Sequence, residues 1–210
     1  MGLFTRSSAS QAPAAPAAPI PAEETSSAVS DLSGDYVIDP THTRLGFSAR
    51  HAMVTKVRGQ FDEFEGTAHV DAANPASSSV SVTIQAASVT TGNAQRDGHL
   101  KTPDFFDVEN YPQITFVSTD VERNSGAWDV TGDLTINGVT KSVTIPFAET
   151  GSAKDPFGNI RIGFEGTTTI NRTDWNLTFQ AALETGGVLV SEKVTLEFDV
   201  SAIAQVPAQA

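Results

Sequence analysis

The chain has 210 residues, 39% of them hydrophobic, which is enough for one domain with a real core, and carries a formal charge of −12. That charge repels phosphate backbones and anionic lipid surfaces and argues against a nucleic-acid partner. With no cysteine in the chain, disulfides, thiol catalysis, thiolate metal sites and a lipid-modified N-terminal cysteine are excluded.

Residues 11–21 read QAPAAPAAPIP, and residues 25–33 are rich in serine. Proline recurring at every third position forbids a helix and favours extended, solvated chain. Residues 1–33 are therefore expected to be a disordered Ala/Pro/Ser-rich tail, and residues 34–206 a single folded domain. After Arg6 no uninterrupted apolar run has the length of a secretory leader, and Arg6 stands where a myristoylation signal needs Ser or Thr. No stretch approaches a membrane span. The expectation is a cytoplasmic protein with no integral membrane segment.

From residue 34 onward the pattern has period two. Leu45, Phe47 and Ala49 alternate with polar or small residues, as do Val80, Val82, Ile84 and Ala86. Next come Ile114 and Phe116, then Trp128, Val130, Gly132, Leu134 and Ile136. Val143, Ile145 and Phe147, then Ile160, Ile162 and Phe164, and finally Val194, Leu196, Phe198 and Val200 repeat the rule. One buried and one wetted face mean antiparallel sheet. Asn137-Gly138 between two such runs is a hairpin signal, because a type I′ turn needs positive φ at both positions. About eight to ten such strands must either stack as two sheets or close into a barrel. A barrel of roughly eight strands has an interior that side chains fill or one small ligand occupies. Periodicity alone does not choose between them.

Residues 96–112, RDGHLKTPDFFDVENYP, interrupt this pattern with charges around two adjacent phenylalanines, Phe105 and Phe106. The break runs from near Gly92 to near Asp107, with Pro103 placed to start a short turn of helix. Asp104, Asp107 and Glu109 are closely spaced and read as turn-capping carboxylates rather than as an acid/base set.

Arg50, His51, Lys56 and Arg58 precede Asp62, Glu63 and Glu65. Such a patch at a strand end is placed to receive an anionic headgroup. The expectation preferred here is a solvated hairpin whose charges pair across strands. The four histidines, His42, His51, His69 and His99, show no metal-ligand spacing, and no metal site or cofactor is expected. There is no nucleophile elbow and no phosphate-cradling glycine loop.

Several segments together resemble a known family. YVIDPTHT at 36–43 and LGFSARH at 45–51 look like the opening motif of the YceI-like, polyisoprenoid-binding family. GQF at 59–61 and FEG at 64–66 are similar to its next hairpin, and RDGHL at 96–100 with DFFDVENYP at 104–112 to its most distinctive block. ITFVS at 114–118, GDLT at 132–135, NGVTK at 137–141, Asn171-Arg172 and the strand around Val194, Leu196 and Phe198 follow in order. The resemblance spans nearly all of residues 34–204. Trp175-Asn176 departs from it, standing where the family shows an aromatic residue and then glycine. The added side chain is expected to alter the lumen's width or the shape of its mouth. Secreted members begin with a signal peptide, so the compartment is not carried over from them.

The resemblance implies an all-β fold, an extended eight-stranded antiparallel lipocalin-like barrel with one short helical insertion. It further implies a long apolar lumen that binds, and sequesters or carries, a polyisoprenoid lipid or isoprenoid quinone. The expected lining is Phe47, Ile84, Phe105, Phe106, Phe116, Leu134, Phe147, Phe164 and Phe198. His42, His51, Arg96, His99 and Arg172 are candidates for a polar mouth, or equally for pinning loops. Residues 96–112 are then a cap or gate over one end of the lumen. No catalytic residue is assigned; the alternative is an enzyme acting on a small apolar substrate inside the barrel, with His99 or Asp97 as acid/base. Pairing into a homodimer stays open, since no exposed apolar stripe compels it.

Overall fold

A computed structural model of the protein describes residues 32–182 and 186–205. The expected N-terminal tail lies outside the described residues except for its last two positions. Those two belong to the packed structure: Leu32 is buried, and the Ser33 hydroxyl accepts a hydrogen bond from the Ala72 N–H.

In chain order the strands are β1 (Gly34–Ile38), β2 (Arg44–His51), β3 (Thr55–Phe61), β4 (Phe64–Val70), β5 (Ser79–Gln85) and β6 (Val89–Thr90). The helix α1 (Ala94–Leu100) follows, then β7 (Gln113–Asn124), β8 (Ala127–Ile136), β9 (Val139–Lys154), β10 (Ile160–Asn171) and β11 (Val190–Ala204). All pairings are antiparallel, and β11, 15 residues long, hydrogen-bonds to β10 on one side and to both β1 and β2 on the other. β1 and β2 are thus two halves of one broken stave. β3 and β4 form a second, and β5 and β6 a third. Together with β7 to β11 they make eight staves, closed through the β1–β11 pairing. The alternating pattern dictates this outcome, because each stave has one apolar face and closure gives all of those faces a common interior.

Closure is incomplete at one end. β5 pairs with β7, but β6 pairs only with β3, which leaves a seam between β6 and β7. Residues 91–112 fill that seam, and the Ala86 N–H donates to the Pro112 carbonyl where strand pairing stops. The helix in this segment begins at Ala94, earlier than Pro103, because the Asn93 side chain caps it by accepting from the Arg96 N–H. Asn137 and Gly138 have φ of 50° and 72°, the positive pair that the β8–β9 hairpin requires. The opposite end is packed by Tyr36, Val70, Val121, Trp128, Val130, Ile162 and Ala202, with Leu32 and Phe164 against them. Ile160, counted among the inward residues, is instead 37% exposed. It is the first residue of β10, beside the fully wetted Phe157, where the wall has ended.

The Asp-Pro-x-His run is a pin on the outside of the barrel. Arg161 of β10 donates to Asp39 (2.6 Å) and to Asp155 (2.8 Å), while the Asp39 N–H reaches the Ser201 carbonyl (2.9 Å). The hydrogen bond from Arg161 lowers the Asp39 pKa to about 2, helped by His42 and the Thr41 N–H against the opposing effect of burial. A depressed carboxyl contributes stability that is complete above its unfolded value of 3.8 and is lost as pH falls through about 2. Asp39→Asn is therefore expected to lower the melting temperature at neutral pH. The gap to wild type should close as the pH is taken below about 2, which thermal unfolding across pH will check.

Candidate functional site

The inner faces of the staves enclose a cavity of about 260 Å³. Beside it, at the end where the seam lies, is a vestibule of about 460 Å³. Phe47, Ala49, Leu100, Phe105 and Val190 border both spaces, so the two adjoin. All nine residues expected to line a lumen, Phe47, Ile84, Phe105, Phe106, Phe116, Leu134, Phe147, Phe164 and Phe198, do border the inner cavity. Among the described residues, only His69 and Arg172 bring an ionisable group to its wall.

The lumen stays open because of how its phenylalanines lie. Phe47 faces Gly59 across the β2–β3 pair, and Phe147 faces Gly166 across β9–β10. Phe116 lies over Gly132 on β8, where a methyl group on the glycine would sit 2.5 Å from the ring. Each ring reclines on a bare stretch of neighbouring backbone instead of standing out into the interior. A side chain in place of the glycine would occupy the ring's position.

Three of the five polar candidates meet at the vestibule: His51, Arg96 and His99. Arg96 donates to the Thr91 hydroxyl (2.7 Å) and carbonyl (3.0 Å), and Asp97 accepts from the Thr91 N–H (2.9 Å) and hydroxyl. His99 pairs with Asp104 at 2.8 Å and sits edge-on to Phe105 and Phe179, with ring centroids 5.1 and 4.9 Å away. These three rings border the vestibule, and Phe105 borders the inner cavity as well. Arg172 lies deeper, 4% exposed, with its guanidinium spent on the carbonyls of Leu177, Val190 and Ser191. Burial pushes its pKa down, opposed by the charge of Glu192. It pins the segment leading back into β11. His42 is not brought to this end; it lies exposed on the β1–β2 turn beside Asp39.

Two sequence expectations are corrected. Asn176 does not intrude on the lumen: it is exposed, with φ of 60° at the end of a short 3₁₀ turn. Asn, like Gly, tolerates that left-handed conformation, which is why either residue serves there. The basic hairpin does not pair its charges across strands. In the β2–β3 register Arg50 lies opposite Lys56, and Arg58 opposite Ser48. Sequence reasoning also missed Trp175 and Leu177, which form the roof of the cavity, and Phe179, which borders the vestibule. Their signal was present, since W-N-L-T-F-Q alternates as the strands do. They lie just beyond β10 in a segment that pairs with no neighbour as a strand.

Comparison with known proteins agrees with this geometry. A protein called YceI from Escherichia coli O157:H7 is 42% identical over 153 residues, covering 72% of this chain and 80% of that one. The crystal structure of Burkholderia cenocepacia BcnA superposes with a TM-score of 0.69 at 26% identity, covering 78% of this chain and 98% of BcnA. A polyisoprenoid binding domain from Saccharophagus degradans, implicated in plant cell wall breakdown, shares the fold with a TM-score of 0.60 at 20% identity, covering 81% and 98%. The YceI-like domain model matches residues 36–202, nearly the whole described barrel, and the chain belongs to that family.

Proposed function

We propose that this protein binds a polyisoprenoid lipid, or the isoprenoid tail of a quinone, inside the barrel, and so sequesters or carries it through water. The observation that carries this reading is an apolar cavity lined by phenylalanines held against the wall, adjoined at the seam end by a vestibule that carries His51, Arg96 and His99. Burying each methylene of a prenyl chain gains about 0.8 kcal/mol, partly offset by the cost of ordering the chain. Such a lumen needs no specific chemistry to hold one. The tail would contact the nine lining residues, and the head group would rest near His51, Arg96 and His99. The lipid class named for the Saccharophagus degradans domain supports this choice of ligand.

The chain's two tryptophans, Trp128 and Trp175, both border the cavity. Titrating delipidated protein with geranylgeraniol should therefore change tryptophan emission saturably. An emission unchanged at every concentration, with no prenyl alcohol retained after gel filtration, would overturn the reading.

A further inference from the structure

The β2–β3 hairpin forms part of the vestibule rim, contributing Arg50, His51 and Val57. Its composition departs from the rest of the molecule. Between Asp39 and Asp62 there is no acidic residue, whereas the chain as a whole has 25 acids against 13 lysines and arginines. Arg50, Lys56 and Arg58 are all exposed, and Arg50 stands directly opposite Lys56. Like charges opposite one another destabilise a hairpin. Among the described residues no ion pair relieves them, and the carboxylate in the flanking bulge of β11, Glu192, acts on Arg172. Lys56 acts only through space on Glu197, which Ser48 and Arg44 already engage. Asp62, Glu63 and Glu65 lie at the far end of β3, roughly 20 Å from Lys56 at about 3.3 Å per residue. The carboxylates of the neighbouring mouth segment are taken up locally, Asp97 by Thr91, Asp104 by His99 and Asp107 by Asn110.

The tip is apolar. Met53 and Val54 are 55% and 75% exposed, and Met53 has φ of 61°. Glycine or asparagine fits that left-handed position without strain, yet the chain places a long apolar side chain there. A cationic face without ion pairs behind a protruding apolar tip is complementary to one kind of surface, an anionic bilayer, whose phosphates meet the cations while the tip enters the acyl boundary. The overall charge of −12 does not prevent this, because at about 0.1 M salt the screening length is roughly 10 Å and the local patch governs.

We infer that the β2–β3 hairpin docks the mouth of the barrel onto anionic phospholipid bilayers, so that the lumen opens towards the membrane. This rests on the carrier reading, since it supplies the place where a tail would enter or leave.

Flotation of the full chain with phosphatidylcholine vesicles, with and without phosphatidylglycerol, tests it. Binding is expected only with phosphatidylglycerol and should weaken as salt is raised. Arg50→Gln/Lys56→Gln/Arg58→Gln should reduce it on the order of a hundredfold, about fivefold per cation. Met53→Ser/Val54→Ser should weaken it independently of salt. Phe157→Ser, which alters the 90%-exposed aromatic at the opposite end, should change nothing. Geranylgeraniol added from ethanol separates the two readings. If wild type takes it up but ignores the vesicles, docking is overturned and carriage stands. If wild type floats with the vesicles yet takes up no prenyl alcohol, carriage fails and docking stands. Equal flotation of triple variant and wild type, or retention on heparin without vesicle binding, would overturn docking.

Discussion

Gly166→Val is expected to weaken binding of a long isoprenoid at least about tenfold while the barrel still folds. Gly166 faces the lumen opposite Phe147, and a methyl group there would fall 2.5 Å from Cδ1 and 2.6 Å from Cε1 of that ring. The three nearest atoms to that methyl are all side-chain atoms of Phe147. The ring therefore yields, and with the wall behind it, it yields into the cavity. Displacing contact with even two methylenes forfeits about 1.6 kcal/mol, a little more than tenfold in affinity. Overpacking costs about 1–3 kcal/mol of stability. Valine's preference for strands and the loss of a glycine from a strand interior return part of it. Should Gly166→Val fold poorly, Gly166→Ala tests the same geometry with a smaller wedge. An affinity within twofold of wild type for a folded variant would mean that the tail does not pass Phe147.

The largest loss of stability is expected from Trp175→Ala, about 3–5 kcal/mol in urea unfolding of delipidated protein. Trp175 is 3% exposed at the end of the 3₁₀ turn after β10, packed in the cluster that contains Phe105, Leu134, Ile170 and Leu177. Its indole N–H donates to the Leu134 carbonyl at 3.0 Å, tying the roof of the cavity to β8. Alanine leaves a void continuous with the lumen and removes that tie. Trp175→Phe keeps most of the buried area but not the donor, and should cost about 1–2 kcal/mol. A cost below about 1 kcal/mol for alanine would show that the roof is held by other contacts, such as those of Arg172.

Much of the fold was legible because alternation writes the two faces of each stave into the sequence. Phe47, Phe116, Phe147 and Phe198 lie inward for that reason alone, and Asn137-Gly138 marked its hairpin by backbone chemistry. Ile160 broke the rule because parity says nothing about where the wall ends. The basic hairpin was misread because pairing depends on register. With Arg50 opposite Lys56, its acids are left at the other end of β3. The pinning role of Asp39 and His42 is set by Arg161, about 120 residues away and across the barrel surface, which no local pattern reveals. Trp175, Leu177 and Phe179 carried the right alternation without belonging to a strand. The glycines beneath the rings looked like weak points in strands. They are what keeps an interior rich in phenylalanine from filling itself.

The claim that this interior holds an isoprenoid is tested most directly by what the protein carries when isolated. Organic-solvent extraction of the purified full chain, followed by mass spectrometry, should yield an isoprenoid lipid or quinone in near-equal molar amount, and far less from Gly166→Val. Recovery of no apolar compound from wild type, together with no uptake of added geranylgeraniol, would contradict it.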